Sequence, residues 1–505
     1  MKAEWKERIK KHVTVAVRAV LFLCLFFLMI YVVNRTLTPN YLYSSTNPMT
    51  ETYRGFYEMK KNTIDVLFLG SSHTASGFNP QDLYNEYGIR GYNLGSNSQN
   101  LWVSYYWLRE ALQYQSPKVV VLDCYMLFID EKKNEGSSRL ALDDMRWGAV
   151  KREAVEQICD LDDSQSKLSY LFRNIRFHTR WMGLNETDFM WADIAAPPEL
   201  KGFWLYRGIC GYPDYIPLTI QETGRDLFIP EAERYLERIT ALCRERGIEL
   251  ILVKTPTLAQ TVERHNAIAD YASVHHLKFL DYNVEELYHS MEFNYAQDMN
   301  DSSTDGNRNA HANPSGAKKL TMYLGSVLNE QCGLTAQKDE QWEQTREFNN
   351  GVWKDFKLHN ETDIKSYLSM LGDRRYTIFI AAKDDAASSL NGECKELLRA
   401  LGLRADWSDA YRKSYFAVIE RQKVLAEQMA GERIERMGSF RGGSVIYKVV
   451  SAGMECGNDC SIQINRGELA KRSRGLNIVV YSNDIKAVVD SVCFDTCAPE
   501  LTAVR

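Results

Sequence analysis

The sequence has few cysteines, no excess of positive charge and no histidine pattern typical of a metal site. Eleven cysteines in 505 residues are too few for a fold held together by disulfide bonds. The net charge of -5 gives no basic bias, so a nucleic-acid partner is not expected. His73 and His311 are considered below as possible site residues, and the other seven histidines lack the spacing of metal ligands. Neither a metal nor a cofactor is therefore expected. There is no internal repeat and no long low-complexity run.

The last four cysteines form two close pairs near the C-terminus. They are Cys456 with Cys460, and Cys493 with Cys497. Free thiols, one disulfide bridge between the pairs and a four-thiolate zinc site are all compatible with this arrangement, although three-residue gaps are less typical of zinc than two-residue gaps. The sequence leaves these three alternatives open.

A single long apolar run lies near the N-terminus. Residues 13–33 would form a helix of about 30 Å, enough to cross a bilayer. The five Lys and Arg residues before it predict that residues 1–12 stay in the cytoplasm. The apolar run is too long for a cleaved signal peptide, and no cleavage site follows it. We therefore expect a single-pass membrane anchor, a polar stalk at 34–62, and a body outside the cytoplasm.

Apolar runs and amphipathic stretches alternate from residue 63 to residue 332. IDVLFLG (64–70) and PKVVVLD (117–123) are typical of buried strands, whereas PEAERYLERITALCRER (230–246) is typical of an amphipathic helix ended by Gly247. Such alternation predicts an α/β domain with a parallel sheet, and the mixed segment 131–225 is expected to be an irregular insertion over it.

The pattern of apolar and polar residues changes after residue 332. Residues 333–355 are largely polar and predict a linker. Residues 356–498 contain several short strand-like runs and a helix near 390–401, which predicts a second, α+β or β-sandwich-like domain.

Two residues far apart in the chain have the chemistry of a nucleophile and its base. Ser72 follows the first predicted strand, at the sheet edge where open parallel sheets hold their active sites. A serine is a weak nucleophile unless a base accepts its proton, and His311, just before the final helix, is the candidate base. Alone, each residue would more simply be a helix cap or a loop residue.

Three features together resemble the SGNH/GDSL hydrolase family over about 60–330. They are Gly70-Ser71-Ser72 after the first strand, YNLGSNSQN at 92–100, and His311 in NAHANPSGAKKL. The resemblance implies a three-layer α/β fold, Ser72 as nucleophile, His311 as base, and Gly95 with Asn97 as oxyanion donors. It is nearest to the membrane-anchored members that are alginate O-acetyltransferase-like or teichoic-acid D-alanylation-like.

Two positions depart from the family pattern. The family usually has Asp three residues before the His, where this chain has Arg308. The third triad member is then expected to be Asp305, which is the nearest of the preceding aspartates to His311 in the sequence, with Asp301 and Asp298 as alternatives. After PKVVVLD, the chain has Cys124-Tyr125 where the family often has an oxyanion Asn, so Asn100 is an alternative to Asn97.

The second domain has a resemblance of its own. RGLNIVVYSNDIKAVVDSVCFD (474–495) and YTIFIAAKDDAASSLNGECKELLRALG (376–402) resemble the interleukin-like EMT-inducer domain, although in the opposite order. A circular permutation would explain that order. This resemblance implies carbohydrate binding, with Asp384 and Asp385 either as sugar ligands or simply as a turn after a strand.

Together these patterns predict a serine O-acyltransferase or esterase that acts on an envelope polysaccharide or teichoic acid. The first resemblance also implies a partner, a multi-pass membrane acyltransferase. The alternative hypothesis is a catalytically inactive glycan-binding surface protein, and a lipase for small esters is a third.

Overall fold

The structure is a computed structural model that describes residues 2–39, 49–130, 133–189, 198–211, 215–301, 310–499 and 501–505. It contains an apolar N-terminal helix, a mixed α/β domain with a parallel sheet, and a strand-rich C-terminal domain. This is the fold class that the sequence predicts.

The sheet of the first domain is parallel throughout, with strand order β2-β1-β3-β4-β5. Its strands are β1 (Val66–Leu69), β2 (Gly91–Asn93), β3 (Val119–Asp123), β4 (Glu249–Lys254) and β5 (Lys278–Asp281). The central strands β1 and β3 are buried along their whole length. Both faces of the sheet are therefore covered, as parallel sheets require.

Alternate side chains of each strand enter different cores. Leu67 and Leu69 of β1 belong to the core on one face of the sheet, and Val66 and Phe68 belong to the core on the other. Because strand side chains alternate between faces, this division gives helices on both sides of the sheet. The domain is a three-layer α/β structure.

Helices flank the sheet and continue beyond it. They are α1 (Lys2–Leu37), α2 (Met49–Glu58), α3 (Ser72–Gly77), α4 (Pro80–Tyr87), α5 (Leu101–Ala111), α6 (Glu135–Leu142), α7 (Ala149–Leu161), α8 (Lys167–Leu171), α9 (Asn174–Phe177), α10 (Pro230–Arg246), α11 (Val262–His275), α12 (Glu285–Ser290), α13 (Tyr295–Asp298), α14 (Pro314–Glu330), α15 (Glu340–Glu343), α16 (Arg346–Asn360), α17 (Ile364–Met370) and α18 (Gly392–Ala400). The helix predicted at 230–246 is confirmed, and Gly247 ends it in the left-handed conformation. The segment predicted to be irregular, 131–225, instead carries α6–α9 among its described residues.

Helix α1 is longer than the predicted membrane segment. Within the described residues, the stretch Glu7–Leu37 is the one helix long and apolar enough to cross a membrane. Its large apolar side chains, such as Phe22, Leu25 and Phe27, are exposed rather than packed against the protein. A membrane anchor and a signal sequence both fit this helix.

The predicted stalk at 34–62 is wrong in its second half. Helix α2 packs into the first domain, where Tyr53 and Phe56 are fully buried and the Tyr53 ring stacks on Trp107 at 4.4 Å. The aromatic residues of this polar segment recur at helical spacing, which places them on one face. Residues 40–48 lie outside the described part.

The predicted linker at 333–355 is also wrong, because it is helical and packed. Trp342 of α15 is fully buried, and Asn349 of α16 hydrogen-bonds to Asp82 of α4 at 2.8 Å. The segment is polar because its polar side chains pair with those of α4, so polarity here does not indicate flexibility.

Lys201 joins this helical segment to the first domain. Its ammonium donates to Gln81 Oε1 at 2.9 Å and to Thr345 Oγ1 at 2.7 Å, and it lies 4.4 Å from the Trp342 ring. Burial lowers the pKa of Lys201 to about 7. The ammonium is therefore held in a site that favours the neutral amine.

We expect the free energy of unfolding to rise with pH between about 7 and 10, by at most about 1.4 kcal/mol per pH unit from Lys201. The sign follows because, in that window, the unfolded chain binds a proton at this residue that the folded protein has released. Urea unfolding at several pH values would show a smaller rise in Lys201→Met. Lys338→Met, at an exposed position, is the control. Equal slopes in the wild type and Lys201→Met would contradict the assignment.

The C-terminal domain is built on one large mixed sheet. Its strands are β8 (Tyr376–Asp384), β9 (Ser414–Glu420), β10 (Lys423–Ala430), β11 (Ile434–Phe440), β12 (Val445–Gly453), β13 (Cys460–Ile464), β14 (Gly467–Glu468), β15 (Gly475–Ser482), β16 (Ala487–Phe494) and β17 (Ala503–Val504). The order is β14-β13-β12-β8-β15-β16-β17, while β9 pairs with β8 and β10, and β11 pairs with β12. Two separate cores lie on its faces, one of them covered by α17 and α18.

The four C-terminal thiols belong to this domain. Cys456, Cys460, Cys493 and Cys497 are free in the structure, and Cys460 and Cys493 are buried. Among the described residues, no group of His, Cys, Asp or Glu side chains is arranged to hold a metal ion. Asp385 accepts hydrogen bonds from the amides of Ala387 and Ser388, which is a turn after β8.

Candidate active site

A sharp turn links β1 to the short helix α3. Gly70 has φ +141°, and a Cβ there would lie 2.6 Å from both Asp123 Cβ and Thr74 Oγ1. Ser71 caps α3, since its hydroxyl accepts from the amide of His73 at 3.3 Å and donates to Asp123 Oδ2 at 2.7 Å. Ser72 is thus the first residue of α3, at the carboxyl edge of the sheet.

Gly70→Ala is expected to lower the free energy of unfolding by about 2 to 4 kcal/mol, because both the backbone conformation and the space exclude a side chain. Urea denaturation would measure the loss. Gly392→Ala is the matched control, since a Cβ there meets nothing within 4 Å and the helix α18 should gain slightly from alanine. A wild-type midpoint for Gly70→Ala would show that the turn is not constrained in this way.

The structure brings Ser72 and His311 together. Ser72 Oγ lies 2.8 Å from His311 Nε2, although 239 positions separate the two residues in the chain. Both are nearly inaccessible to solvent, with 5% and 6% of their surfaces exposed. In the neutral imidazole with its proton on Nδ1, the serine hydroxyl donates to Nε2, which is the geometry of a base poised to accept that proton.

A hairpin and a helix cap position His311. The short strands β6 (Met299–Asp301) and β7 (Ala310–Ala312) pair antiparallel, with His311 opposite Asn300. Asn313 then caps α14 through the amides of Ser315 and Gly316. Its Nδ2 also donates to the Gln297 carbonyl at 2.7 Å, which ties the start of α14 to the preceding helix.

Three rings stack in a row through the site, and a fourth lies tilted against the end of the row. His311 lies between Tyr206, at a centroid distance of 4.8 Å, and His73, at 4.9 Å, and His73 in turn lies 4.2 Å from Tyr125. Burial raises the pKa of Tyr206 to about 12. Because stacking restricts rotation of the His311 imidazole, the row keeps the Nε2 edge of His311 directed at Ser72.

The candidate acids are placed differently from one another. Both carboxylate oxygens of Asp298 already accept hydrogen bonds near the start of α14. Oδ2 accepts from the Asn294 amide and from Lys319 Nζ, each at 2.7 Å, and Oδ1 accepts from Ser315 Oγ at 2.7 Å. Asp301 ends β6, and its side chain lies outside the described residues, as do Asp305 and Arg308. The choice of Asp305 stays a prediction.

Asp123 is a site residue that the sequence analysis did not single out. It is fully buried at the end of β3, where Oδ2 accepts from the Ser71 hydroxyl and Oδ1 accepts from the Tyr125 amide at 3.2 Å. Burial raises the pKa of its carboxyl, and hydrogen bonds from Ser71 and Tyr125 oppose the rise. Its position at the carboxyl end of a strand next to β1 is the sequence feature that could have identified it as a site residue.

Gly95 packs directly against the turn that holds the serine. A Cβ there would lie 2.9 Å from the Ser71 carbonyl, so glycine permits the close approach. Its amide donates to Asn93 Oδ1 at 3.0 Å in this structure. Asn97 is exposed, and Asn100 is buried at the start of α5. The oxyanion roles of Gly95 and Asn97 stay predictions.

Comparisons with known proteins found only weak structural similarity. No protein-family model and no curated protein matches the chain. A putative acylhydrolase from Bacteroides fragilis is similar at 13% identity, covering 55% of this chain and 93% of its own, with a TM-score of 0.26. A GDSL-like lipase from Bacteroides thetaiotaomicron is similar at 12% identity, covering 56% and 98%, also with a TM-score of 0.26. At these values neither similarity carries an argument about fold or activity, so both are inferred from this chain's own structure.

Proposed function

We propose that the protein is a membrane-anchored serine esterase or O-acyltransferase that works outside the cytoplasm on an envelope polysaccharide or teichoic acid. The observation that carries the proposal is the 2.8 Å distance between Ser72 Oγ and His311 Nε2 at the carboxyl edge of a parallel sheet. The SGNH resemblance of the sequence supports the same pair of residues.

In the first step, Ser72 Oγ attacks the carbonyl carbon of an acyl donor while His311 Nε2 accepts the hydroxyl proton. The tetrahedral intermediate collapses when the bond between the carbonyl carbon and the leaving group breaks. His311 returns the proton to that leaving group, and the acyl group stays on Ser72 as an ester.

In the second step, His311 Nε2 removes a proton from an incoming hydroxyl, whose oxygen attacks the acyl carbon of the acyl-serine. The bond between that carbon and Ser72 Oγ then breaks, and His311 gives its proton to Ser72 Oγ, which restores the free enzyme. A sugar or polyol hydroxyl gives transfer, and water gives hydrolysis. The two outcomes share one catalytic pair, and they differ in how well water is excluded from a buried site.

The exposed apolar helix α1 supports anchoring at the membrane, with the basic N-terminus inside and the body outside. Such a placement would allow a multi-pass membrane acyltransferase to deliver acyl groups to Ser72. Carbohydrate binding by the strand-rich domain belongs to the same proposal. The alternative function, a glycan-binding protein without catalysis, is favoured by Arg308 standing at the family's acid position.

Fluorophosphonate labelling of the full-length protein in detergent tests the proposal. We expect one covalent adduct, located by peptide mass spectrometry on Ser72, because an activated serine attacks phosphorus as it attacks an acyl carbon. Folded protein that stays unlabelled under conditions in which a control serine esterase reacts would favour the glycan-binding alternative. Acetyl transfer from p-nitrophenyl acetate to an added oligosaccharide, measured against acetate release, would then separate transferase from esterase.

A further inference from the structure

A cavity of about 460 Å³ lies between the two domains, beside the candidate active site. On the first-domain side it is lined by residues 205–208 and Asn300. On the second-domain side it is lined by the end of α16, by β16, and by Lys471 and Arg505. The cavity is large enough for a sugar ring or a group of similar size.

Two of its lining residues flank His311. Tyr206 stacks on the His311 ring at 4.8 Å, and Asn300 is paired opposite His311 in the β6–β7 hairpin. A molecule in the cavity would therefore be separated from the candidate base, His311, by the ring of Tyr206.

The carboxylate that lines the cavity, Asp490, already has partners within the protein. Asp490, with a fully buried side chain, lies 3.1 Å from His359 Nδ1, accepts from the hydroxyl of Tyr367 at 2.8 Å, and pairs with Arg505 Nε at 3.3 Å. Its negative charge therefore has one cationic partner, Arg505, and two further polar neighbours, which weakens its repulsion of a negatively charged ligand.

Arg207, by contrast, is a cation with an unused donor. Its Nε is shielded from solvent and has no hydrogen-bond partner among the described residues. Burial lowers its pKa, while the negative charges of Asp355 and Asp490 offset part of that cost. A buried guanidinium with an unpaired donor is costly, and a carboxylate or phosphate is the group whose geometry it matches. Lys471 adds a second, exposed cation at the rim.

We propose that the cavity between the domains binds a carboxylate- or phosphate-bearing group through Arg207, with Lys471 in support. That this group belongs to the acceptor of the acyl chain rests on the proposed function. The acceptor would then be an anionic molecule whose charged group sits between the domains while a hydroxyl reaches the acyl-serine.

Calorimetric titration of the full-length protein in detergent tests the inference with three probes: glucuronate, glycerol 1-phosphate and neutral glucose. We expect at least one anion to bind, and glucose to bind at least about tenfold more weakly. The tighter anion identifies whether the source is a uronate or a phosphate. Equal binding of glucose and the anions, or no binding of either anion, would overturn the inference.

Substitutions of the lining residues test whether the anion binds in this cavity. Arg207→Met should weaken anion binding about tenfold or more, Arg207→Lys should weaken it less, and Lys471→Gln should weaken it a few-fold without any effect on folding. Lys423→Gln, at an exposed position on β10, is the matched control and should bind as the wild type does. Unchanged anion binding in both Arg207→Met and Lys471→Gln would overturn the site.

Fluorophosphonate labelling of the same samples separates this inference from the proposed function. Anion binding that depends on Arg207, in a protein that does not label at Ser72, would support the cavity and refute the catalysis. Labelling at Ser72 in a protein that binds neither anion would refute the cavity and leave the catalysis standing.

Discussion

Ser72→Ala is expected to abolish fluorophosphonate labelling and to lower ester turnover by at least about 10³-fold. The reason is direct: the hydroxyl that lies 2.8 Å from His311 Nε2 is the only group that this mechanism uses to form the acyl-enzyme. Loss of one hydroxyl from a site that is 5% exposed leaves little space unfilled, so the free energy of unfolding should change by less than about 1.5 kcal/mol.

Ser76→Ala is the matched control for this result. Ser76 lies in the same helix α3 and is equally buried, and its hydroxyl donates to the Ser72 carbonyl at 2.8 Å. Its replacement removes a comparable hydrogen bond while Ser72 keeps its hydroxyl, so labelling should persist. If Ser72→Ala still labels at the wild-type rate, the nucleophile is another residue and the mechanism proposed above is wrong.

His311→Ala is expected to lower the labelling rate of Ser72 by about 10³- to 10⁴-fold, because His311 is the base that lies within hydrogen-bond distance of the serine hydroxyl. His311→Gln is the sharper variant. Glutamine can keep a hydrogen bond near Ser72 but cannot accept the proton, so it should restore stability without restoring the rate. The measurement is the second-order rate constant of labelling, followed by in-gel fluorescence.

The control for His311 is His289→Ala, an exposed histidine at the end of α12. It should label at the wild-type rate. A rate for His311→Gln within about threefold of the wild type would show that proton transfer to His311 does not limit acylation, and the proposed role of the base would have to be withdrawn.

Where the chain alternates between apolar runs and amphipathic stretches, the elements were predictable. The strands β1 and β3 and the helices α10 and α14 lie where their patterns place them, since local periodicity and Gly or Pro signals act over a few residues. The segments around α2 and α16 were misassigned as stalk and linker. Their burial depends on partners such as Trp107 and Asp82, which are distant in sequence.

The candidate active site was likewise predictable only in part. The prediction of Ser72 and His311 came from their order along an α/β pattern together with the resemblance to the SGNH/GDSL family. Pattern alone placed Ser72 at the sheet edge where the residues that follow parallel strands collect. The stack of Tyr206 and His73 on His311, the buried Asp123 under Ser71, and Arg207 in the cavity could not be predicted. Each of them depends on segments that meet only after folding.

The sequence by itself determined the apolar N-terminal helix, the α/β class of the first domain, the strand-rich second domain and the identity of the serine and histidine pair. The first three features follow from local hydrophobic pattern, and the pair follows from the residue types and their order together with the resemblance to the SGNH/GDSL family. Only the tertiary structure decided that the pair meets at hydrogen-bond distance, that Tyr206 and His73 stack on His311, and that an arginine whose Nε has no partner among the described residues lines a cavity between the domains. Contacts of this kind arise from long-range packing, and no short stretch of sequence contains both partners.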